Sequence, residues 1–149
     1  MRNAFILIFI MHSCSQSSTD VTRKFSIDIW NYDYSMAYTT HYKIKNDSII
    51  VTGISGVQNE ENKTLLSRAI SKNEKKNLYD FLSSFPLDSL ATEYKNPLVE
   101  DGDQKRIEIV FNDKKKTINI ENFYQKDLGN LFNVVNQVLE KDMQIKYRK

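Results

Sequence analysis

The chain has 149 residues, of which 40% are hydrophobic and 27% are charged, with only four glycines and two prolines. This length suits one ordinary domain, and the composition is that of a globular protein. Twenty-one basic residues against 19 acidic residues give a net charge of +2. A charge so close to zero argues against nucleic acid as a partner, because nucleic acid favours a strongly basic surface.

The first residues form a basic start followed by an apolar run. Arg2 precedes eight consecutive apolar residues, 4–11. A bilayer-spanning helix needs about 20 apolar residues, whereas the apolar part of an export signal has about 7–15. The pattern therefore predicts a signal peptide over residues 1–13 and no membrane-spanning helix there.

Cys14 is the one cysteine of the chain, and it follows Met11-His12-Ser13. An apolar residue, a small residue and then a cysteine resemble the end of a bacterial lipoprotein signal. The resemblance implies cleavage before Cys14, a diacylglycerol on its thiol and a further acyl chain on its amine. Ser15 follows in place of Asp, which by the enterobacterial sorting rule implies the outer membrane. An ordinary cleaved signal with an incidental cysteine is the alternative.

The remainder divides by composition into three parts. Residues 14–23 are the predicted lipidated N-terminus and flexible tether, since they lack apolar periodicity. Residues 24–141 carry the periodic segments of a single domain, and residues 142–149 are predicted to be a basic tail. The nine flexible residues 15–23 span about 15–18 Å, so the domain is expected close to the membrane.

Residues 24–70 contain four segments with the alternating pattern of half-buried strands. Phe25, Ile27 and Ile29 share one face of the first segment. Trp30 takes the opposite parity, which predicts a bulge or a strand buried on both faces. Asn46-Asp47 predicts a tight hairpin turn, because both residues tolerate positive φ.

Two helices and a second hairpin are predicted downstream. Ser71 and Glu74 form a capping-box pattern, and Pro86 ends the apolar helical spacing that follows. Residues 105–120 alternate around a second Asn-Asp pair, and Asp127 is the predicted N-cap of the last helix. The order is ββββ-α-ββ-α. The predicted class is therefore α+β, a mainly antiparallel sheet of about six strands with two helices on one face.

Residues 99–139 resemble the C-terminal half of a diffuse family of small, uncharacterised Gram-negative lipoprotein domains. In that family an Asp-Gly precedes a hairpin, an Asn-x-Tyr follows it, and a helix closes the domain. Asp101-Gly102, Asn122 and Tyr124 hold those positions here. The resemblance implies the fold and the envelope location, and it brings no activity with it.

Few residue types here suit catalysis or metal binding. Cys14 is assigned to lipid and His12 to the signal, which leaves His41 as the histidine of the predicted domain. In the alternating pattern of its strand, His41 lies on the polar face. The acidic turn at 100–103 lacks the spacing of an EF-hand loop. We therefore predict no catalytic residue, no metal site and no cofactor, although carboxylates paired only by the fold would escape this reasoning.

Five aromatic residues within 13 positions form the candidate interaction surface: Trp30, Tyr32, Tyr34, Tyr38 and Tyr42. Aromatic residues are enriched at interfaces, and they also pack well inside sheets, so both interpretations stay open. Ser48 and Ser89 each lie between an Asp and an aliphatic residue. These triplets resemble an O-glycan acceptor of some Gram-negative envelope proteins, which makes both serines candidates for O-glycosylation.

Together these features predict a lipid-anchored cell-envelope protein, expected at the outer membrane. Its predicted partners are the membrane, through the lipid anchor, and an unknown protein or envelope component. A non-enzymatic binding module is the favoured role. An inhibitor or immunity-type lipoprotein is the alternative, and a carboxylate-based hydrolase ranks last.

Overall fold

The computed structural model describes residues 24–35, 37–99 and 102–147. The strands are β1 (Phe25–Tyr32), β2 (Tyr38–Lys45), β3 (Ser48–Ser55), β4 (Lys63–Ala69), β5 (Glu93–Lys95), β6 (Gln104–Phe111) and β7 (Lys114–Glu121). The helices are α1 (Lys72–Ser84) and α2 (Lys126–Asn136), with single 3₁₀ turns at Leu87–Ser89 and Lys141–Met143. One sheet has the order β4-β3-β2-β1-β6-β7-β5. The predicted α+β class and order ββββ-α-ββ-α are confirmed, with seven strands in place of about six.

The additional strand, β5, lies in the connection that the sequence predicts to be irregular. It pairs with β7 in parallel, whereas the other neighbouring strands pair antiparallel. Its three residues are too few to show an alternating pattern. Its placement depends on tertiary hydrogen bonds, such as Asn119 N–H to the Thr92 carbonyl and Asn96 N–H to the Glu121 carbonyl, both 2.9 Å.

One face of the sheet carries the core. Alternate strand residues are buried there, including Ile27, Ile29, Ile44, Ile49, Val51, Ile107, Ile109, Ile118 and Ile120. Buried residues of both helices join the same cluster, including Leu78, Leu82, Leu128, Leu131, Phe132 and Val135. Burial of this apolar area from water is the main favourable term for folding. The opposite face of the sheet, here called the open face, carries mostly polar side chains.

The prediction of a bulge at Ile29-Trp30 is wrong. β1 pairs with β2 and β6 without a register shift, and the irregularity of the sheet lies between Val51 and Thr52, where β3 pairs with β4. Trp30 takes the opposite parity because it lies on the open face. Large aromatic side chains are tolerated there since their cross-strand neighbours half-bury them.

The predicted hairpin at Asn46-Asp47 is present, although neither residue adopts the positive φ expected there. Local signals set the second hairpin and the start of α1. Asn46 accepts a hydrogen bond from Phe25 N–H at 2.8 Å, and Asn112 adopts a positive φ of 52°. The predicted capping box is present. Ser71 Oγ accepts from Glu74 N–H at 3.3 Å, and the Glu74 carboxylate accepts from Ser71 N–H at 2.8 Å.

Arg68 connects β4, α1 and the segment after α2. Its guanidinium donates to both oxygens of Glu74, at 2.7 and 3.0 Å, and to the Val138 carbonyl at 2.7 Å. The hydrogen bonds from Arg68 are the main reason that the pKa of Glu74 falls from 4.5 to about 2. One side chain therefore joins two consecutive elements to a segment 70 residues later. Its contact with Glu74 has the bidentate geometry that favours strong ion pairs.

The N-cap of α2 differs from the prediction. Gln125 holds that position, because its side-chain oxygen accepts from Leu128 N–H at 2.7 Å, whereas Asp127 lies inside the first turn. Tyr147 fixes Gln125 in place: its hydroxyl accepts from Gln125 N–H at 2.8 Å and donates to the Phe123 carbonyl at 2.9 Å. Burial raises the pKa of Tyr147 to about 12.

The prediction of a basic tail from residue 142 is also wrong, since the domain continues to Tyr147. Ile145 is buried in the core. Its backbone exchanges two hydrogen bonds with the Asn136 side chain, at 2.8 and 2.9 Å. Ile145 and Tyr147 pack into the core and are spaced as in a strand. The charged residues around them conceal this pattern in the sequence.

Gly129 has a packing role that helix propensity does not reveal. A Cβ at this position would lie 2.6 Å from Tyr124 Oη and 3.1 Å from its Cζ. The Tyr124 ring is itself stacked on Tyr147, with centroids 5.1 Å apart. The sequence predicts only a small cost of glycine in a helix, but the ring of Tyr124 requires the space that glycine leaves.

We expect Glu74→Gln to lower the free energy of unfolding at neutral pH by about 1.5–3 kcal/mol, typical of hydrogen bonds to charged groups. Because folding lowers the pKa of Glu74, its stabilisation is complete above pH 4.5 and is lost as the pH falls toward 2. Urea denaturation across this range measures the effect. Asp80→Asn in the exposed Lys76–Asp80 pair is the control, expected to cost about 0.3–0.5 kcal/mol. An equal loss in both variants contradicts the role of Arg68.

We expect Gly129→Ala to destabilise the protein. Overpacking costs about 1–3 kcal/mol, and the better helix propensity of alanine returns at most about 1 kcal/mol. Thermal unfolding compares it with Asn130→Ala at an exposed neighbouring position in α2, where alanine gains helix propensity. If both alanines stabilise, Tyr124 does not need the space at residue 129.

Candidate functional site

The five aromatic residues of the predicted interaction surface do not form one patch. Tyr42 is only 4% exposed and belongs to the core, so its assignment to a surface is wrong. Trp30 and Tyr32 are half-buried on the open face. Tyr34 and Tyr38 are 78% and 49% exposed, near the β1–β2 turn. Alternation along two neighbouring strands shows which residues share a face of the sheet. It does not show which face the helices cover.

Trp30 is stacked between two side chains of the neighbouring strands. His41 lies parallel to its ring, with centroids 4.5 Å apart and planes 7° apart. The Arg106 guanidinium lies on the other strand, 5.5 Å from the Trp30 ring. Both contacts follow from register, since Trp30 is directly opposite His41 on β2 and Arg106 on β6. The stack stabilises the sheet, and it covers the faces that a ligand would need.

His41 has an acidic partner that the sequence analysis did not identify. Its Nε2 lies 3.1 Å from Asp28 Oδ1, and Ser26 Oγ donates to Asp28 Oδ2 at 2.8 Å. Burial acts to raise the pKa of Asp28, but the hydrogen bonds from His41 and Ser26 and the charge of Lys43 lower it overall. In a nucleophilic triad the histidine lies between serine and acid. Here Asp28 is central, so His41 does not face Ser26.

A cavity of about 500 Å³ lies where β1 ends and β6 begins. Its walls come from the end of β1, the following turn, the approach to β6 and the C-terminal segment: Asn31, Tyr32, Asp33, Tyr34, Gly102, Asp103, Lys105 and Lys146. The volume falls within the range of about 300–1,000 Å³ common to small-molecule sites. We call it the Lys105 cavity.

Lys105 is the least expected residue of this cavity. Among the residues that the structure describes, it alone is a buried charged residue, at 2% exposure. Its Nζ donates to Asp103 and lies 5.8 Å from the centre of the Tyr147 ring. Burial lowers its pKa, although the hydrogen bond and charge of Asp103 act in the opposite direction. Buried ionisable groups with shifted pKa values in a cavity are candidates for function.

Lys105 carries a signal in the sequence that does not by itself reveal a site. It shares the parity of Ile107 and Ile109 in β6, both buried. A lysine in register with core isoleucines is either a side chain that extends to solvent at the strand end or a buried charge. Burial and the position of Asp103 decide between these, and both come from tertiary structure.

Gly102 shapes the approach to the cavity. Its φ is +150°, and a Cβ there would lie 2.0 Å from Asn122 Oδ1. Asn122 has a positive φ of 54°, and its side chain donates to the Val99 carbonyl at 3.2 Å. Two residues on which the family resemblance depends therefore fit together, and the close approach requires glycine.

The other sequence candidates lie apart from this cavity. Cys14, Glu100 and Asp101 fall outside the described residues. Ser48 lies half-buried at the start of β3, and Ser89 is exposed in the first 3₁₀ turn, where its hydroxyl donates to the Pro86 carbonyl. Within residues 24–35, 37–99 and 102–147, no three metal-binding side chains cluster.

A second cavity, of about 520 Å³, lies between the end of α1 and the β6–β7 turn. Leu82, Phe85, Leu87 and Phe111 contribute to its walls. Lys114, also in its wall, is paired with Asp88. Unlike in the Lys105 cavity, none of the charged wall residues that the structure describes here is buried.

Comparison with known proteins found no match to a protein-family model and no significant match among curated proteins. Over the described part of the chain, neither helix has the length and apolar character to cross a bilayer.

We expect Asp103→Asn to destabilise the protein more than Lys105→Met. Loss of the carboxylate leaves a buried ammonium without its counter-charge, at about 1–3 kcal/mol. Replacing the buried ammonium itself by an apolar side chain of similar length is often neutral or stabilising. Urea denaturation of both variants measures the difference. An equal or larger loss in Lys105→Met would show that Lys105 serves stability.

Proposed function

We propose that this protein is a lipid-anchored cell-envelope module that binds an envelope component, without catalysis, in the Lys105 cavity. The observation that carries the proposal is a buried lysine in the wall of a cavity of about 500 Å³, which an exposed tyrosine, Tyr34, also lines. Binding sites combine a few fixed polar groups with aromatic surface in this manner.

The anchor is proposed from the sequence. An apolar run of eight residues, Ser13 and then Cys14 support lipidation of this cysteine. Each buried methylene contributes about 0.8 kcal/mol, and one acyl chain holds a protein only marginally. Three chains at Cys14 would give durable attachment, at the outer membrane if the sorting signal acts as it does in enterobacteria.

Binding is favoured over catalysis by the geometry around His41. Its ring is stacked on Trp30 and directed at Asp28, on the open face. The cavity lies at the strand ends, and its walls supply ammonium, carboxylate, amide and phenol groups. These groups suit recognition by hydrogen bonds, and Asp28 holds His41 in a structural pair.

A cross-linking experiment in cells tests the proposal. A photoreactive phenylalanine analogue at Tyr34 places the reactive group at the cavity, and the same analogue at Lys76 on α1 is the control. We expect an adduct from residue 34 and not from residue 76, identified by mass spectrometry, and its loss when Cys14→Ala mislocalises the protein. Incorporation of an alkyne-labelled fatty acid, abolished by Cys14→Ala, checks the anchor.

Equal adducts from both positions, or adducts unaffected by Cys14→Ala, would contradict an anchored module that binds at the cavity. Recovery of a hydrolase or toxin at residue 34 would favour the inhibitor or immunity-type alternative.

A further inference from the structure

We propose that the Lys105 cavity binds a neutral saccharide. This inference rests on the proposed function and specifies its ligand class. It depends on the charge balance of the walls, their mixture of donors and acceptors, and the exposed aromatic ring at the rim.

The charges of the wall residues that the structure describes cancel. Lys105 and Lys146 are balanced by Asp33 and Asp103. An anionic ligand would meet two carboxylates, and a cationic ligand would meet two ammonium groups. Like charges brought together in a partly enclosed site cost free energy, so the walls favour a ligand without net charge.

The walls both donate and accept hydrogen bonds. The Lys105 ammonium has three N–H donors, and its hydrogen bond within the described residues goes to Asp103. The Asp33 carboxylate is oriented by Tyr38 N–H at 3.2 Å and by Ser35 Oγ at 2.7 Å. Asn31 offers an amide with both functions. Hydroxyl groups donate and accept at one atom, which makes a polyol complementary to such walls.

Tyr34 adds apolar surface to these polar walls. It is 78% exposed, in contrast to Trp30, whose faces are covered by His41 and Arg106. The C–H face of a sugar ring packs against an aromatic ring, while its hydroxyl groups point to polar neighbours. Tyrosine combines an apolar body with a polar tip and suits both contacts.

Titration of the purified full chain in detergent, followed by amide NMR, tests this inference. The probes are four neutral trisaccharides, built from glucose, galactose, mannose and N-acetylglucosamine, with inorganic phosphate and acetate as anionic comparisons. We expect at least one trisaccharide to shift the amides of residues 31–34 and 102–105. Phosphate and acetate should leave them unchanged.

Matched variants locate the contacts. Loss of a hydrogen bond to a charged group corresponds to about a tenfold weaker affinity, which we expect for Lys105→Met. Tyr34→Ala should weaken binding by a similar factor. Lys114→Met, at a charged turn away from the cavity, should bind as the parent does. Amide spectra of each free variant verify the fold.

Three outcomes would overturn the inference: no shifts with any of the four sugars at millimolar concentration, shifts confined to the open face or the second cavity, or binding of phosphate or acetate in place of sugar. Each is distinct from failure of the proposed function, which the cross-link at residue 34 decides separately. An adduct there without sugar binding leaves a binding module with another ligand.

Discussion

The pairing of β1 with β6 is the contact on which the rest of the structure depends. It joins the N-terminal hairpins to the C-terminal hairpin, through eight residue pairs from Phe25↔Phe111 to Tyr32↔Gln104. The loop between these strands spans more than 70 residues, so its closure costs entropy that local hairpins do not. Burial of Ile27, Ile29, Ile107 and Ile109 on the same face offsets that cost.

The same pairing places the cavity. β1 ends at the level where β6 begins, so the turn after β1 and the approach to β6 meet at one end of the sheet. The Lys105 side chain then lies on the helix side of the sheet. Tyr147, from the C-terminal segment, lies near the Lys105 ammonium there. The site is therefore built from three segments that are distant in the sequence and has no linear motif.

The elements that the sequence predicted correctly are those specified by neighbouring residues. The alternation in β1, the Asn112-Asp113 turn and the Ser71/Glu74 capping box each depend on short-range rules of side-chain direction and local hydrogen bonding. Their outcome does not require knowledge of distant segments, and the fold class follows from their order.

The features that escaped prediction depend on tertiary contacts. Gln125 replaces Asp127 as the N-cap because Tyr147, 22 residues later, holds its backbone. Ile145 and Tyr147 looked like part of a charged tail because two anchors do not make a periodic pattern. Lys105 was missed for a related reason: parity placed it on the core face, but a lysine at a strand end usually extends to solvent.

The free-energy cost of Lys105 is the strongest argument that this position serves a ligand. An apolar side chain at its place would continue the row of Ile107 and Ile109, whereas a buried ammonium gives up hydration that one carboxylate replaces only in part. A saccharide in the cavity would present hydroxyl oxygens to the remaining N–H groups without adding charge. On this proposal, the bound ligand replaces the hydrogen bonds that the Lys105 ammonium loses on burial. The free energy that this loss costs the free protein is recovered only with a ligand that accepts those hydrogen bonds, which makes binding specific.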